Sequence, residues 1–506
     1  MSRINTNPAS LIAQRNYANN NKSLDTTLER LSTGLRINRG KDDPAGLIAS
    51  ENLRSEKSAL TAAIGNAERT DQLANIAEGG LQELSNLLTD LRGLVTATAN
   101  AAGLSTEEKQ ANQLQVDSIL QTIDRVSDST NFQGVKLLNG NFDFQTTSVA
   151  AGVSDYRING AKVNSGSSIA VQALITTSAQ QGGLYLSTNG NLDLTSGLFT
   201  VEVGGKIGSR ELSFASGTTT ANIVAAINTY TQVTGVTAVA VASGTTNGVR
   251  LQSSDFGSDA FTSVKIVNNA GITGANVGVY NVQATNANAI NTTLNAAFTS
   301  TAATNGVRDA GQDLVATING VAATSKGKTA RINTDFLDVE VTFNTTTSQT
   351  IGAVNAFTIT GGGANFQLAS KVDIGGKVAL GIQDVSSRKL GNSTVGQLSS
   401  LASGKGFNLV DGDLTAAGKV VEEAIRQVSG LRGRLGAFQK NTVGATIRNL
   451  GVSLENSSAA ESSIRDADFA NETASLTRSQ ILSQAAGNSL GLANQRPQAA
   501  LQLLRG

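Results

Sequence analysis

The chain has 506 residues, which is more than one hydrophobic core normally supports, so several domains are expected. Its 39 basic and 39 acidic residues give a net charge of zero, which argues against nucleic acid or an anionic membrane surface as a partner. Cysteine and histidine are both absent, which removes disulfides, thiolate nucleophiles, imidazole bases and ordinary zinc sites, so neither an enzyme nor a cofactor is predicted.

The N-terminus carries no targeting signal of a common kind. The segment from Met1 to Pro8 lacks the apolar core of a secretory signal, and no run approaches the roughly 18 apolar residues of a membrane helix. These features taken alone predict a cytosolic protein with no membrane insertion.

The first 44 residues predict a helix with a coiled-coil seam. Leucines recur at spacings of four, three and four, at Leu24, Leu28, Leu31 and Leu35. Asp43 and Pro44 then predict a break and a new helix start, because Asp is a favoured N-cap and the fixed φ of proline suits a first turn.

Two further helices are predicted before residue 130. The first runs to about residue 100, and its apolar stripe is Leu73, Ile76, Leu81, Leu84, Leu88, Leu91 and Val95. The second opens with a capping box from Ser105 to Glu108 and extends to about Ser127, with a stripe of Leu114, Ile119, Ile123 and Val126.

The middle of the chain, roughly 141–395, is rich in Thr, Val, Gly and Asn and predicts strands, for example the alternating run from Leu337 to Phe343. A helix-like run from Thr220 to Asn228 between two strand-like runs predicts a small α+β unit, and a second unit is expected around 305–360. The segment from Ala322 to Thr329 is close to a phosphate loop, but its strand-like flanks favour a surface turn.

The C-terminal part repeats the helical pattern. One stripe comprises Val421, Ile425, Val428, Leu431, Leu435 and Phe438, and a last segment runs from Ile464 through Leu476, Ile481, Leu482 and Leu490.

Neither end carries enough apolar surface to offset the conformational entropy of ordering it alone. Asn19, Asn20 and Asn21 are also weak helix formers, so packing against partners must supply stability. We therefore predict ends that are disordered in the monomer, polymerise with copies of the chain, and leave the middle facing outward.

Several stretches resemble bacterial flagellins, over about 140 residues at the N-terminus and about 110 at the C-terminus. They begin with Ile4–Asn7, Leu28–Asn38, Lys41–Gly46, Ile123–Val126 and Phe132–Asn139, and continue near the other end with Ser463–Phe469 and Ala493–Gln498. Within the middle, Ile223–Asn228 and Gly235–Ala238 resemble the flagellin hook IN module.

The resemblance implies an α+β fold, a long helical coiled coil built from both termini with a β-rich central insertion of one or more outer domains. Residues 1–44 and 456–506 pair as the inner core, and 45–140 and 396–455 form the surrounding helical tube. Residues 141–395 form the surface-exposed outer part, with an IN-like α+β unit near 195–290.

The same resemblance assigns packing roles to two sets of residues. Packing in the filament core is expected of Leu24, Leu28, Leu31, Leu35, Leu476, Ile481 and Leu490. Packing in the tube is expected of Leu84, Leu88, Leu91, Val428, Leu431, Leu435 and Phe438.

The implied function is that of a structural subunit polymerising into the flagellar filament for motility. The implied route is export as an unfolded chain through the flagellar type III apparatus, which explains a secreted, extracellular protein without a cleavable signal. The implied partners are other flagellin copies, a secretion chaperone, the filament cap and the hook-junction proteins.

Many flagellins are also detected by a Toll-like receptor through a helix that corresponds here to Leu87–Asn100. Arg92 and Leu94 match that motif, whereas Asp90 and Gly93 depart from it, as does Gln115 nearby. An acidic residue where a basic one is usual weakens an electrostatically complementary interface.

Two alternatives to a filament subunit stay open at this point. A hook-filament junction protein has similar helical ends, but it does not form long filaments by itself. A filament subunit whose insert acts as an adhesin would bind a ligand through residues 141–395 alone. Ser and Thr clusters in the insert fit either O-glycan attachment or ordinary strands and turns.

Overall fold

The computed structural model describes residues 6–503 except 101–102, 165, 189, 191, 195–196, 244–245, 275–276 and 284–285, and gives no side-chain surroundings at 242–247, 282–294 and 497–503. Ile4 and Asn5 of the N-terminal motif and the side chains of Pro497 and Gln498 therefore lie outside the described residues. The chain divides into two compact units. The helical unit takes in the chain up to Gln72, from Phe366 to Lys377 and from Ala437 onward, and the mixed unit contains Leu73–Asn365 and Val378–Gly436.

The α-helices of the described residues are α1 (Pro8–Thr33), α2 (Pro44–Thr98), α3 (Thr106–Ser129), α4 (Thr220–Thr229), α5 (Thr231–Thr234), α6 (Thr301–Asn305), α7 (Thr345–Gln349), α8 (Leu414–Ala437), α9 (Gly444–Arg465) and α10 (Phe469–Leu503). A π-helical turn at Phe438–Val443 joins α8 to α9, and a 3-10 turn spans Leu398–Leu401. Among the described residues, none of the helices combines the length and the apolar composition of a membrane-spanning segment.

The strands, in chain order, are β1 (Asn131–Phe132), β2 (Val135–Lys136), β3 (Phe144–Thr147), β4 (Val153–Ala161), β5 (Ile169–Thr177), β6 (Gly183–Ser187), β7 (Phe199–Gly205), β8 (Ser209–Phe214), β9 (Val236–Ser243), β10 (Thr246–Ser253), β11 (Phe261–Asn268), β12 (Gly278–Gln283), β13 (Asn286–Ala296), β14 (Val307–Ala310), β15 (Val315–Ile318), β16 (Val321–Ala322), β17 (Thr324–Lys326), β18 (Thr329–Asn333), β19 (Leu337–Phe343), β20 (Gly352–Gly362), β21 (Ala364–Gln367), β22 (Lys377–Leu380), β23 (Gly391–Asn392) and β24 (Gly396–Gln397). Helical ends flanking a β-rich centre confirm the predicted fold class.

Local signals set the helix boundaries. Asn7 caps α1 by accepting a hydrogen bond from Ser10 N at 3.1 Å, and Gly34 ends the helix in a left-handed conformation with φ 72°. Asp43 caps α2 by accepting from Gly46 N at 2.9 Å, which confirms the predicted restart at Asp43 and Pro44.

The buried side of α2 follows an unbroken heptad pattern. Steps of three and four lead through Leu60, Ala63, Ala67, Thr70, Ala74, Ala77, Leu81, Leu84, Leu88, Leu91, Val95 and Thr98, all of them buried. The prediction for Ile76 was wrong, because its side chain is 39% exposed and Ala77 occupies the seam. The sequence pattern was searched only for large apolar residues, so it missed the alanines of the seam, which are buried where helices approach closely.

The capping box of α3 is confirmed. Ser105 Oγ accepts from Glu108 N at 3.2 Å, and Glu108 Oε2 accepts from Ser105 N at 2.7 Å. The stripe was wrong at Leu114, which is 70% exposed, because Gln113 takes the buried position instead. Gln113 can be buried because it donates to Leu401 O at 2.9 Å and accepts from Leu409 N at 2.7 Å.

The β-rich centre consists of two lobes in the mixed unit. The nested lobe (183–310) has the sheets β13-β12-β6-β10-β9 and β14-β11-β7-β8, which share one core. Helix α4, which lies within the predicted small α+β unit, buries Ile223 and Ile227 in that core. The base lobe has the sheets β16-β15-β5-β20-β3 and β17-β18-β19-β4 over a second core.

The base lobe is discontinuous in sequence. The chain leaves it after β5, forms the nested lobe and returns at β15, and the crossing is marked by paired backbone hydrogen bonds between Gln180 and Gln312 of 2.8 and 2.9 Å. The expectation of a second unit around 305–360 was therefore incomplete, since β3, β4 and β5 belong to it. Ala322–Thr329 lies within the β16–β17–β18 meander with Gly327 at φ 59°, so the predicted surface turn is confirmed.

Charged groups join the base lobe to α8. Glu423 on α8 is buried and pairs with Arg157 of β4 at 3.1 Å and with Arg426. Nearby, a cavity of about 240 Å³ is lined by Asp143, Asp384 and Lys389 among others. Burial raises the pKa of Asp143 above its ordinary value, the hydrogen bond from Phe144 N opposes the rise, and the Asp384 carboxylate adds to it.

Truncating the seam of α2 tests the burial pattern. Leu84→Ala should lower the free energy of unfolding by about 2–5 kcal/mol, because a fully buried leucine is replaced by a cavity. Ile76→Ala, the matched control on the exposed side of the same helix, should change it by roughly 0.5 kcal/mol or less. Urea unfolding of the monomer followed by circular dichroism measures both, and equal losses would contradict the assignment of Ala77 to the seam.

The pKa of Asp143 predicts a pH-dependent effect of Asp143→Asn. A carboxyl with a raised folded-state pKa destabilises the fold while ionised, and this penalty disappears as the pH falls and the group takes up its proton. The variant should therefore unfold at higher urea than the wild type at pH 7. The two midpoints should converge as the pH falls below about 3.9, and a gap that stays constant would contradict the charge explanation.

Candidate assembly surface

Helices α1 and α10 lie antiparallel, and polar contacts along their whole length tie them together. Near one end of the pair Asn7 Nδ2 donates to Ala493 O at 2.8 Å, midway Asn20 Nδ2 donates to Leu482 O at 3.2 Å, and near the other end Arg30 pairs with Glu472 at 3.2 Å. Residue numbers rise along one helix as they fall along the other. The two chain ends are thus held side by side within a single molecule.

The two helical breaks lie against each other. Ala467 N donates to Gly34 O at 2.9 Å, Arg36 N donates to Arg465 O at 2.7 Å, and Leu35 and Asp466 form an isolated antiparallel bridge. Each break leaves backbone groups without helical partners, and the two breaks satisfy one another. The α1–α2 corner and the α9–α10 corner therefore form one joint.

Beyond this joint, α9 runs antiparallel to the first part of α2. Lys57 Nζ lies 2.7 Å from Glu461 Oε2, and Arg465 lies 2.9 Å from Glu51 Oε1. No residue of α9 is fully buried. In the mixed unit α8 continues the pairing, with Arg432 against Glu78 at 2.8 Å and Arg92 against Glu422 at 3.0 Å.

The α1–α10 pair leaves much apolar surface uncovered. Its large exposed apolar side chains are Leu11, Ile12, Tyr17, Leu28, Phe469, Ile481, Leu482 and Leu492. Soluble monomers rarely expose so many large apolar groups on one pair of helices, and such surfaces mark sites of association. The pair can therefore serve as a surface for self-assembly.

The predicted core-packing residues lie on this pair but are incompletely covered in one molecule. Leu24, Leu31, Leu35, Leu476 and Leu490 are half-buried, whereas Leu28 is 44% and Ile481 62% exposed. Among the side chains of the pair that the structure describes, the buried ones are Ala13, Thr27, Ser479 and Ala493. Sequence reasoning missed these small side chains because it searched for large apolar ones, although small residues are the usual sign of close helix approach.

The residues predicted to pack in the tube are covered within one molecule. Leu84, Leu88 and Leu91 on α2 are buried, as are Val428, Leu431 and Leu435 on α8 and Phe438 in the π-turn. Sequence reasoning also missed Glu423, whose ionic partner on β4 lies far away in the chain. The apolar seam of α2 and α8 is thus buried within one molecule, whereas the apolar surface of the α1–α10 pair is exposed.

The segment predicted to contact a receptor lies on the outer side of α2. Asp90, Arg92 and Gly93 are exposed, and Leu94 is half-buried. Arg92 is the member that forms an ion pair, with Glu422 on α8.

Comparison with known proteins adds independent evidence. Family models match the bacterial flagellin N-terminal helical region at residues 4–143, the bacterial flagellin C-terminal helical region at 419–504 and the flagellin hook IN motif at 199–255. The B-type flagellin of Pseudomonas aeruginosa is 32% identical over 99% of both chains, and a flagellin of Escherichia coli strain K12 is 31% identical over 99% of both. The match to a solved structure of FliC from Burkholderia pseudomallei covers 73% of this chain and 99% of that structure's chain, at 14% identity and a TM-score of 0.24.

Replacement of one exposed apolar residue of the pair tests its role. Ile481→Ser should leave the thermal unfolding of the monomer unchanged but raise the concentration needed for self-association several-fold, because the side chain is uncovered in one molecule. Light scattering against protein concentration measures the effect. Val372→Ser, at an 86% exposed apolar residue of the loop between β21 and β22, is the control and should behave as the wild type. Equal effects of the two changes would contradict the assignment.

Proposed function

The chain belongs to the bacterial flagellin family, and from this premise we propose how each part of it serves the filament. It is a structural subunit of the extracellular flagellar filament that polymerises with copies of itself, and its family is one of structural proteins rather than enzymes. The finer assignments rest on the distribution of covered and uncovered apolar surface.

The observation that supports the assembly mechanism best is the apolar surface left open on α1 and α10. Residues 1–44 and 456–506 build the inner core of the filament, where the exposed leucines and isoleucines of one copy are buried by neighbouring copies. That burial supplies the free energy that a single α1–α10 pair lacks. The ends are therefore stable in the polymer rather than in the free chain.

Residues 45–140 and 396–455 form the surrounding tube. Their seam is already closed within one molecule, as the buried leucines of α2 and α8 indicate. This part can therefore fold before assembly and present a preformed surface to neighbouring copies. Residues 141–395 then form the outer part, in which the two β lobes have cores of their own.

Export and the accessory partners follow from the same terminal segments. The chain leaves the cell unfolded through the flagellar type III apparatus, a route compatible with a sequence that has no cysteine to cross-link. A secretion chaperone covers Ile481, Leu482 and Leu492 on α10 in the manner of an apolar helix face in a groove. The cap and the hook-junction proteins close the two ends of the polymer, where terminal helices would otherwise lack neighbours.

The segment Leu87–Asn100 is accessible to a Toll-like receptor in the free subunit, since Asp90, Arg92 and Gly93 are exposed. Asp90 presents a negative charge where a basic residue is usual, and Gly93 presents no side chain. Binding is therefore weaker than for flagellins that match the motif at both positions.

Removal of residues 1–44 tests the filament function. Purified full-length protein added to sheared filament fragments should grow long filaments under the electron microscope. The truncated chain should add none, because it lacks the α1 half of the open apolar surface. Urea unfolding of the β lobes, which the truncation does not change, is the control for misfolding of the truncated chain.

Two outcomes would contradict the proposal. A full-length chain that forms only short stubs on the fragments would favour a hook-filament junction protein. Long filaments from the truncated chain would show that α1 is not needed for the core.

A further inference from the structure

The two stretches that resemble the flagellin hook IN module are linked by the hydrogen bonds of one asparagine. Asn228, near the end of α4, pairs with the backbone of Ala238 in β9. Its Oδ1 accepts from Ala238 N at 2.8 Å, and its Nδ2 donates to Ala238 O at 3.0 Å. The side-chain amide therefore makes the two hydrogen bonds that a residue of a neighbouring strand would make at this position.

Ala238 lies on an outer edge of the nested lobe. Strand β9 is the last strand of the sheet β13-β12-β6-β10-β9, and its inner edge pairs with β10. In an antiparallel ladder the N–H and C=O groups of alternate residues point to opposite edges, so those of Val236, Ala238 and Ala240 point away from β10. Thr234 Oγ1 accepts from Val236 N at 3.2 Å, and Asn228 pairs with the next of these residues. Side chains from α4 and α5 thus occupy two successive positions of the outer edge.

The sequence of β9 makes an open edge prone to pairing with other chains. Its eight residues, Val236–Ser243, are Val, Ala, Thr and Ser, with neither a charge nor a proline. Edge strands of this kind associate unless charged side chains or a covering element prevent it. The edge strands of the second sheet of the nested lobe carry charges, Arg210 and Glu211 in β8 and Arg308 and Asp309 in β14. Strand β9 lacks that protection.

The contact between Asn228 and Ala238 lies at the surface of the lobe. Asn228 is an exposed residue, and Val239 on the strand is 42% exposed. Hydrogen bonds at such a site replace bonds to water, so their net contribution to the free energy of unfolding is small. Helix α4 is anchored instead by Ile223 and Ile227, which are buried in the core of the lobe. What Asn228 adds is the occupation of a position at which another strand would pair.

We propose that Asn228 is an edge cap, a side chain that takes the place of a further strand at Ala238 and so prevents β9 from pairing with β9 of a second copy. With Val236 and Ala238 occupied, a pairing strand could use only the second half of β9, which is shorter than the roughly five or six residues of a common strand. A second copy is the partner that is excluded, because the filament holds identical lobes at high local concentration. This choice of partner rests on the filament function proposed above, whereas the cap itself does not.

Asn228→Ala tests the cap, and Asn222→Ala, at an exposed residue in the first turn of the same helix, is the matched control. The full-length chain is kept free of filament fragments. Hydrogen exchange followed by mass spectrometry should show several-fold faster exchange at the amide of Ala238 in Asn228→Ala. Thioflavin T fluorescence should rise several-fold on incubation of that variant, because open β9 edges pair into β-sheet, and should stay at the wild-type level in the control. Faster exchange without a rise in fluorescence would overturn the proposal.

A second comparison separates the cap from a general loss of stability. Ile223→Val removes a buried methylene group from α4 and leaves Asn228 in place, so it should lower the urea midpoint without raising the fluorescence. Adding Val239→Lys to Asn228→Ala should restore the wild-type fluorescence at an unchanged urea midpoint, because a charge on an edge strand also prevents pairing. Equal fluorescence in Ile223→Val and Asn228→Ala would mean that pairing follows instability, and the cap would be refuted.

Asn228→Asp covers the case in which the alanine variant does not fold. The carboxylate keeps the bond from Ala238 N but repels Ala238 O, whereas the protonated carboxyl donates to that oxygen and restores both bonds. The excess fluorescence of this variant over the wild type should therefore be present at pH 7 and disappear as the pH falls towards the ordinary carboxyl pKa of about 3.9. Asn222→Asp, the matched control, should show no excess at either pH. An excess that does not depend on pH would contradict the pairing with Ala238 as the basis of the cap.

Discussion

The unbroken heptad seam of α2 is the constraint on which the rest of the structure depends. Twelve buried positions from Leu60 to Thr98 give one long helix a continuous face, and each compact unit packs its own C-terminal helix against its own part of that face. Because α2 is near the start of the chain and α8 and α9 are near its end, this seam brings distant segments together. The seam therefore places one requirement on the β-rich centre, which is that its first and last residues lie close together.

The character of the packing changes along the helices. In the mixed unit α2 and α8 bury leucine against leucine, and such a seam is stable within one molecule. In the pair α1–α10 small residues are buried and polar contacts such as Asn7–Ala493 tie the helices, while large apolar residues such as Leu28 and Ile481 are exposed. Polar contacts at a wet surface fix geometry but contribute little stability, so the apolar surplus is available for association. One chain thus contains a helical seam that is buried within the molecule and a helix pair whose apolar surface is open to other copies.

Charged and polar groups link the base lobe to α8 in the mixed unit. Glu423 pairs with Arg157, and Arg434 lies half-buried beside Asn159, where partial burial lowers the pKa of its guanidinium. Ionic contacts of this kind demand correct geometry, because an unpaired buried charge is strongly unfavourable. They therefore specify one orientation of the lobe on α8, while the cores of both lobes remain independent of that contact.

The helical ends, the restart at Asp43, the capping box at Ser105, the strand Leu337–Phe343 and helix α4 could all be predicted from sequence, because each depends on residues within a few positions of one another. Its motifs also identified the family. Three features could be read only from the folded structure: Ala77 rather than Ile76 belongs to the seam, Gln113 is buried in place of Leu114, and β5 pairs with β15 across the nested lobe. They depend on partners far away in the chain, which decide whether a small or polar side chain can be covered and its hydrogen bonds satisfied.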